Sequence, residues 1–393
     1  MKPRLYPTLC LLLALLTACP PAPQTTIVNP PPTAPLPRPP RVDVVYVDRD
    51  STAQARPRNV ILMIGDGMGV TQISAGLYAN GNRLNLERFP FIGLHKSYSG
   101  DNLVTDSAAG ATAFSAGVKT YNGAIGVGMD TLPVKTILEY AEERGMPTGL
   151  VATSSIVHAT PASFAAHNRY RKNYEDIASD MARSGTDLMI GGGLNYFGNR
   201  KNDRRDLVAE LRANGYVVDN FIDKEIAALT PSTDRPLVYL TANAEPLPRS
   251  QGRDYLPAAT ELALDFLDGR DTKDAGFFLM IEGSQIDWGG HSNESEYIID
   301  EMLEFDGAVG EVLDFAKRDG ETLVIVTADH ETGGYAIQYG SRPDSIVGAF
   351  TSDYHTADLI PVFAYGPGAA RFSGVYENTA IFDKMMLLLG LGR

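Results

Sequence analysis

An aspartate and a histidine stand four residues apart in the stretch EGSQIDWGGH, at Asp287 and His291. If this stretch is helical, both side chains lie on one face of the helix and can bind a single ion. A carboxylate and an imidazole are ligands that suit zinc. A single pair of this kind is more often structural than metal-binding, so the argument needs further ligands elsewhere in the chain.

Other carboxylates and imidazoles occur in comparable settings. Asp329 and His330 are adjacent in the stretch TADHETGG, and His355 stands just before an apolar run in YHTADLIP. The chain has six histidines, and three of them fall in these three stretches. Taken together, the three stretches predict a metal site.

The elements that position these residues are strands and helices in alternation. Runs that are apolar at every position are typical of strands buried on both faces of a parallel sheet, and helical patterns lie between them. We therefore predict an α/β fold, a three-layer sandwich with a central, mainly parallel sheet. The apolar runs cover residues 60–64, 149–152, 277–281, 323–326 and 361–364, and the helical patterns cover 134–144, 258–267 and 295–317.

Acidic residues and one histidine come directly after three of these runs. Asp66, Glu282 and the pair Asp329–His330 each follow a run within about two residues. In open α/β sheets, ligands bind beyond the carboxyl ends of the strands. Several acids packed together at one edge are costly unless positive charge lies among them, so we expect cations there.

The stretch VTDSAAGATAFSAG, residues 104–117, consists almost entirely of small residues and holds two serines. The residues after Ser107 are typical of a helix start, where free N–H groups and the positive end of the helix dipole face an anion. The small neighbours of Ser107 would let an anion come close. The residues alone leave two roles open for Ser107, a helix N-cap and a nucleophile, and one serine can fill both.

Six stretches, in this order, resemble the alkaline phosphatases. They are NVILMIGDGMG, VTDSAAGATAFSAGVKT, HATPASFAAHNRYRKNY, IEGSQIDWGGH, TADHETGG and YHTADLIPVFAYG. The similarity covers roughly residues 58–390, and the order of the six makes it highly specific. It implies an alkaline phosphatase-like catalytic domain over residues 57–393.

The resemblance implies two Zn²⁺ ions and one Mg²⁺ ion. Asp66 would bridge two of the ions, and the third set consists of oxygen ligands, which a hard cation prefers. Three divalent cations would outweigh four carboxylates, so the filled pocket would attract phosphate. The implied sets are Asp287, His291 and His355 for one zinc; Asp66, Asp329 and His330 for the second zinc; and Asp66, Thr160 and Glu282 for magnesium.

The resemblance also implies the reaction, which is hydrolysis of phosphate monoesters through a phosphoserine intermediate that releases inorganic phosphate. Ser107 matches the nucleophile, and the zinc ions would activate it and stabilise the leaving oxygen. Arg171 matches the residue that clamps two non-bridging phosphate oxygens, and a diester has one fewer, so the clamp favours monoesters. His158 would act on the third ion through water, and Trp288 stands where some relatives place a polar side chain that reaches phosphate through water.

Two other functions stay open. A phosphodiesterase of the same superfamily is the nearest enzyme, although such relatives generally use threonine and lack the clamp at Arg171. A sulfatase would need a proline and an arginine that the stretch TDSAAG does not have. A non-catalytic lipoprotein that binds metal or phosphate would keep the ligands but would show no turnover.

The N-terminal residues predict export. Lys2 and Arg4 precede an apolar run at 9–16, which is typical of a signal peptide, here residues 1–18. The following LTAC resembles a lipobox and predicts lipid on Cys19, with plain secretion as the alternative. Residues 19–56 are proline-rich and predict an extended tether. We therefore expect a periplasmic or cell-surface lipoprotein.

The net charge and the spacing between two histidines limit the possible partners. The net charge of −14 argues against nucleic acid or an anionic membrane surface as a partner of the folded domain. The expected partner is a small phosphomonoester. Only 24 residues separate His330 from His355, which leaves little room for the inserted subdomain that some relatives use at a dimer interface. A homodimer is compatible with the family but not implied by the sequence.

Overall fold

The computed structural model describes residues 55–271, 275–343 and 345–392. The predicted signal peptide (1–18), Cys19 and nearly all of the predicted tether (19–56) lie outside these residues. Among the helices described, none combines the length and the apolar character needed to cross a membrane.

A sheet of ten strands forms the centre of the domain, in the order β14-β2-β13-β8-β1-β7-β3-β4-β6-β5. Two further pairs of short strands, β9 with β12 and β10 with β11, lie outside it. In chain order the strands are β1 (Asn59–Gly65), β2 (Phe91–Lys96), β3 (Thr148–Ser155), β4 (Leu188–Gly192), β5 (Val217–Asn220), β6 (Leu237–Leu240), β7 (Phe278–Gly283), β8 (Thr322–Thr327), β9 (Glu331–Thr332), β10 (Ala336–Ile337), β11 (Gly348–Ala349), β12 (His355–Thr356), β13 (Leu359–Tyr365) and β14 (Gly374–Glu377).

Neighbouring strands of the sheet are parallel, except that β13 runs antiparallel to both of its neighbours, β2 and β8. The prediction of a mainly parallel sheet is therefore confirmed. The apolar run at 361–364 does form a strand, but its pattern carries no information on direction. A strand buried on both faces has the same apolar pattern in either orientation.

Helices cover both faces of the sheet, which confirms the three-layer sandwich. The longest begins at Ser295 and ends where Gly320 takes a left-handed conformation, with φ of 77°. In chain order the helices are α1 (Val70–Ala79), α2 (Ser107–Ala116), α3 (Ile137–Glu143), α4 (Ala159–Ala165), α5 (Tyr174–Met181), α6 (Leu194–Gly198), α7 (Leu207–Ala213), α8 (Leu256–Arg270), α9 (Gln285–His291), α10 (Ser295–Asp319) and α11 (Thr379–Leu389).

The side chains of β1 show how the layers are held. Val60, Leu62 and Ile64 face the core that includes α2, α3 and α4, whereas Ile61 and Met63 face the core that includes α8 and α10. All five are fully buried. Burying each such side chain contributes about 1.5–3 kcal/mol, so the alternation along one strand fixes helices on both sides.

The predicted helix at 134–144 is shorter in the structure, because α3 begins only at Ile137. Thr136 caps it: its hydroxyl accepts a hydrogen bond from the Glu139 amide, and the Glu139 carboxylate accepts one from the Thr136 amide. This capping box fixes the first turn more sharply than the apolar pattern does.

The register of the central strands aligns their carboxyl ends. Ile64 of β1 pairs with Glu282 of β7 on one side and with Thr327 of β8 on the other. Residues that follow β1 and β8, and those that end β7, therefore meet at one edge. This edge carries the candidate site.

Candidate metal centre and active site

The ends of β1 and β8 bring three predicted ligands together. His330 Nε2 lies 3.6 Å from Asp66 Oδ1 and 3.2 Å from Asp329 Oδ2. The backbone amide of Gly67 donates to Asp329 Oδ1 at 3.3 Å, which orients that carboxylate. One ligand atom from each of the three side chains lies within 4.8 Å of the others, and all three are buried. They can hold one cation.

Helix α9 and strand β12 supply the next set. His291 Nε2 lies 3.3 Å from Asp287 Oδ2, as the predicted helical turn requires. His355 Nε2 lies 3.2 Å from His291 Nε2 and 3.7 Å from Asp287 Oδ1. Asp287 and His355 also come within 4.8 Å of a nitrogen of His330, so the first two sets adjoin.

A third set surrounds Glu282, which lies within β7 rather than after it. Its Oε2 accepts hydrogen bonds from Ser284 at 2.5 Å and from Ser154 at 3.2 Å. Glu282, Asp66 and His158 each place a ligand atom within 4.8 Å of the others. One nitrogen of His158 therefore lies close enough to the carboxylates of Asp66 and Glu282 for the three side chains to share a cation.

The hydroxyl of Thr160, the remaining predicted ligand of this set, lies in α4. It is buried and makes no hydrogen bond. A buried hydroxyl without a partner is costly, and a hard cation is one group that would satisfy it.

Three carboxylates at this edge have oxygens that accept no hydrogen bond. Both oxygens of Asp66, Oε1 of Glu282 and Oδ2 of Asp329 are buried without a hydrogen-bond partner. Burial, followed by repulsion from the neighbouring carboxylates, raises the pKa of Asp66 well above its usual range. Burial also raises the pKa of Glu282 and of Asp329 to about 7. Divalent cations would offset this cost, so the residues present fit a metal centre.

The imidazoles are prepared for ligation. Burial lowers the pKa of His330 and of His355, which favours the neutral form that binds metals. Nδ1 of His355 lies 2.8 Å from the carbonyl oxygen of Thr105 and donates to it, so the lone pair of Nε2 faces the site. The hydrogen bond to Asp287 raises the pKa of His291 to about 9, and a cation would take the place of that proton.

Ser107 stands at the first position of α2. Its side chain is buried, and its Oγ lies 3.4 Å from His330 Nε2. Asp106 caps the helix by accepting a hydrogen bond from the Ala109 amide at 3.0 Å. The N-cap that the sequence analysis weighed for Ser107 is therefore Asp106, and the Ser107 hydroxyl points to the metal ligands instead.

Arg171 lies beside the loop that carries Ser107. Its Nη1 donates to Asp106 Oδ2 at 2.9 Å, and its Nη2 lies 3.5 Å from His158 Nε2. The guanidinium therefore reaches the space between the Ser107 loop and the third set. The sequence analysis gives Asp106 no role, although its place next to Ser107 in TDS was a signal that could have found it.

Trp288 follows Asp287 on α9 and faces the third set. Its ring contacts that of His158 edge to face, with centroids 6.1 Å apart. The pKa of His158 is lowered to about 3, chiefly by burial and then by Arg171, so this imidazole is neutral at physiological pH. A neutral imidazole can coordinate a cation, and Trp288 limits its rotation.

Two residues that sequence reasoning missed hold the ligands in place. The Thr332 hydroxyl donates to Asp287 Oδ1 at 2.5 Å and lies 3.2 Å from His330 Nδ1. The buried carboxylate of Glu331 accepts hydrogen bonds from Gln72 at 2.7 Å and from the Thr356 hydroxyl next to His355. Nothing in their local spacing marks either residue, because their partners lie far away in the chain, on α9, α1 and β12.

The two remaining histidines, His95 and His167, make hydrogen bonds away from the candidate site. His95 is fully buried on β2, and its Nε2 lies 2.8 Å from the carbonyl oxygen of Ala328. His167 lies 2.6 Å from the carbonyl oxygen of Gly126 and 3.1 Å from Glu139 Oε1.

Known proteins resemble the whole domain. The family model described as alkaline phosphatase matches residues 57–351. Alkaline phosphatase 3 of Bacillus subtilis is 40% identical over 78% of this chain and 67% of its own length. Alkaline phosphatase 4 of the same organism is 34% identical over 86% of this chain and 90% of its own.

The fold is also that of a solved structure. The alkaline phosphatase of the Antarctic bacterium TAB5 superposes with a TM-score of 0.80, at 46% identity, over 86% of this chain and 99% of that one. A variant of that enzyme, with a histidine replaced by aspartate, has been solved with Mg bound in its M3 site.

Proposed function

We propose that Ser107 attacks phosphorus and that Arg171 holds the phosphate when this chain hydrolyses phosphate monoesters. The chain belongs to the alkaline phosphatase family. The observation that carries the proposal is the position of the Ser107 hydroxyl. It lies at a helix N-terminus, 3.4 Å from a nitrogen of His330, among buried carboxylates without partners. No other serine discussed above shares these surroundings.

In the proposed reaction, Ser107 Oγ forms a bond to phosphorus while the ester P–O bond breaks and the alcohol leaves. Water then cleaves the phosphoserine, which releases inorganic phosphate and restores the hydroxyl. Arg171 pairs with two non-bridging oxygens throughout, held by Asp106. The free N–H groups of the first turn of α2 support the same negative charge.

The proposed metals are two Zn²⁺ and one Mg²⁺. When bound, such ions act as Lewis acids that lower the pKa of hydroxyl groups and neutralise charge on oxygen. Asp287, His291 and His355 would hold one zinc, and the other would lie on Asp66, Asp329 and His330. The third cation would lie on Asp66, Thr160 and Glu282, with His158 as an added ligand.

His158 bears on which ion fills the third set. An imidazole beside two carboxylates is less selective for Mg²⁺ than an all-oxygen set and also suits zinc. The magnesium in the M3 site of the TAB5 variant, which has aspartate in place of a histidine, is consistent with this reasoning. Metal analysis of the purified protein measures the ratio of the two metals, and more than two zinc ions per chain would revise the proposed ratio.

The test of the nucleophile is Ser107→Ala, with Ser115→Ala as the matched control in the same helix. We expect kcat for a nitrophenyl monoester to fall roughly 10³-fold or more in the first variant. Zinc content should be unchanged. Acid quenching of the wild type should trap phosphate on the peptide that contains Ser107, and an S107A variant with near-normal kcat would contradict the proposal.

A monoester is the proposed substrate class, against a diester. Bis-nitrophenyl phosphate leaves Arg171 one fewer free oxygen to pair with, so we expect a much lower kcat/KM than for nitrophenyl phosphate. Faster hydrolysis of the diester would favour the phosphodiesterase alternative.

Localisation remains a proposal, because it depends on residues outside those described. We propose that lipid on Cys19 anchors the protein at the periplasmic or outer cell surface. Cys19→Ser should move the protein from the membrane fraction to the soluble exported fraction without loss of activity. An unchanged distribution would indicate plain secretion or another mode of attachment.

We also propose a homodimer. Val70 and Tyr78 are exposed and lie eight residues apart on α1, so they share one face of that helix. Light scattering coupled to gel filtration gives the mass directly. A monomer mass at every concentration would rule the dimer out.

A further inference from the structure

We propose that Asn122 is a positioning residue that fixes the nucleophile loop and the arginine clamp relative to each other. The inference rests on the proposed roles of Ser107 and Arg171. Asn122 is half-buried and lies 15 residues after Ser107, in the loop that follows α2. It touches neither the metal ligands nor the Ser107 hydroxyl.

The carboxamide of Asn122 bridges the loop that leads into α2. Its Nδ2 donates to the carbonyl oxygen of Val104 at 2.9 Å, and its Oδ1 accepts from the amide of Asp106 at 3.1 Å. The side chain thus pairs with the backbone on both sides of Thr105 as a neighbouring strand would. This group therefore helps to fix the conformation of the two residues before Ser107, together with the hydrogen bond from His355 to the Thr105 carbonyl.

The backbone next to Asn122 holds the clamp. The amide of Arg171 donates to the carbonyl oxygen of Gly123 at 2.8 Å. Two residues on, Ile125 and Asn168 exchange a pair of backbone hydrogen bonds, each 2.8 Å long. One short segment therefore grips the nucleophile loop with a side chain and the arginine loop with its backbone.

Asp106 links the nucleophile loop directly to the side chain of Arg171. One of its oxygens caps α2 through the Ala109 amide, and the other accepts from Arg171 Nη1 at 2.9 Å. Asn122 orients the backbone of Asp106, so a shift there moves the cap and the guanidinium together. The hydrogen bond from the Asp106 amide to Asn122 Oδ1 joins this link to the segment that holds the backbone of Arg171.

The backbone of Asn122 is also held in place. Its backbone amide donates to Asp101 Oδ1 at 3.1 Å, and the same oxygen accepts from the Ser99 hydroxyl at 2.9 Å. The position needs a donor and an acceptor on one short planar group, which asparagine supplies. Aspartate keeps the acceptor but would set a second oxygen against the carbonyl of Val104, and alanine supplies neither.

The test compares Asn122→Ala, Asn122→Asp and the control Asn80→Ala, whose side chain bonds only to the carbonyl of Arg83 in a remote turn. For the metal-loaded enzyme we measure kcat and KM for nitrophenyl phosphate and the inhibition constant of inorganic phosphate. In N122A we expect KM and the phosphate inhibition constant to rise together by roughly tenfold, with a smaller fall in kcat. N122D should lie between N122A and the wild type, and N80A should match the wild type.

A double variant separates positioning from a general loss of structure. In an Arg171→Ala background the further effect of N122A on KM should be nearly absent, because the group it positions is gone. Equal effects of N122A with and without Arg171 would overturn the proposal, as would a lower melting temperature with unchanged KM and phosphate inhibition. If R171A alone leaves KM unchanged, the proposed clamp fails, and that result is distinct from a failure of Asn122.

Discussion

Two groups of buried carboxylates in this molecule differ in whether the protein supplies a partner for their oxygens. At the carboxyl edge of the sheet, Asp66, Glu282 and Asp329 hold oxygens with no hydrogen-bond partner. On α10, Glu301 and Glu304 are also buried, but both pair with the buried guanidinium of Arg253. The second group contains its own cation, whereas the first is built to receive cations from solution.

The paired group is satisfied down to the backbone. Glu301 also accepts from the Arg249 amide at 2.8 Å, and Glu304 from the Leu256 amide at 3.1 Å. Burial raises the pKa of both glutamates, and Arg253 opposes that rise. The comparison teaches that burial alone does not mark a functional carboxylate in this chain. The missing partner marks it.

Chelation should have the largest effect, because it removes the cations from the edge group and leaves the group around Arg253 intact. Removing the metals should abolish activity and lower the melting temperature, because each bound ion stabilises the folded chain by about 4 kcal/mol at a thousand times its Kd. Calorimetry with and without chelator measures the shift, and added Zn²⁺ and Mg²⁺ should reverse it. An unchanged melting temperature would mean that the edge is stable without cations.

Arg253→Met should leave Glu301 and Glu304 buried without a cation, as the edge carboxylates are in the metal-free protein. Two buried carboxylates would lose their partner, and we expect a loss of about 3–5 kcal/mol in the free energy of unfolding. Denaturant unfolding of the metal-loaded enzyme measures it.

The triple variant R253M/E301L/E304M, which removes all three charges, is the matched control. It should regain most of that stability, since no buried charge is left unpaired. If the single variant is as stable as the wild type, water reaches the glutamates and the contrast between the two groups is lost.

The pH dependence of the chelated protein sharpens the contrast further. The folded-state pKa of Glu282 and Asp329, about 7, lies above the value in the unfolded chain. On these two carboxyls the folded state therefore binds more protons between about pH 4 and 7, and their contribution to stability should fall by on the order of a few kcal/mol as pH rises through that window. Burial lowers the pKa of His158, His330 and His355, which act in the opposite direction below about pH 6.5. Metal-loaded protein should not show this fall. A chelated protein whose stability stays flat above about pH 6.5, where the histidines no longer oppose the carboxyls, would contradict the expected burial cost.

The smallest expected effect is at Glu142. This half-buried carboxylate belongs neither to the edge group nor to the group paired with Arg253. It lines a cavity of about 490 Å³ at the opposite edge of the sheet and accepts one hydrogen bond, from Thr148 at 3.0 Å. Burial raises its pKa to about 8. Stability should therefore fall as pH rises from about 4.5 to 8, and Glu142→Gln should remove on the order of 1 kcal/mol of that fall, allowing for solvent screening. Identical profiles for wild type and E142Q would show that Glu142 is fully hydrated.

The sequence was sufficient for the sheet and for the metal edge, because both have local signals. Uniformly apolar runs identify the buried strands, and polar residues directly after them identify the edge, as with Asp66 and Asp329. Asp287 and His291 were predictable because helical periodicity places them on one face. The six stretches that resemble the family then fixed which residues belong together.

The supporting contacts were not predictable, since each depends on pairing between distant segments. Thr332 reaches Asp287 because β9 packs beside α9, and Asn122 reaches Asp106 because the loop after α2 returns to the start of that helix. The direct approach of His158 to Asp66 and Glu282 is of the same kind. It follows from the way α4 packs beside β7, which no local pattern encodes.

The single reversed strand has a consequence for biosynthesis. Because β13 runs against β8, it starts at the edge where β1 and β8 end, and the segment carrying His355 therefore enters that edge just before β13 does. During translation every earlier ligand has emerged before this last one. β13 also fills the gap between β2 and β8, so the sheet stays open until it inserts. A nascent chain that has not yet reached β12 thus lacks the last predicted metal ligand, His355, and the strand that joins β2 to β8.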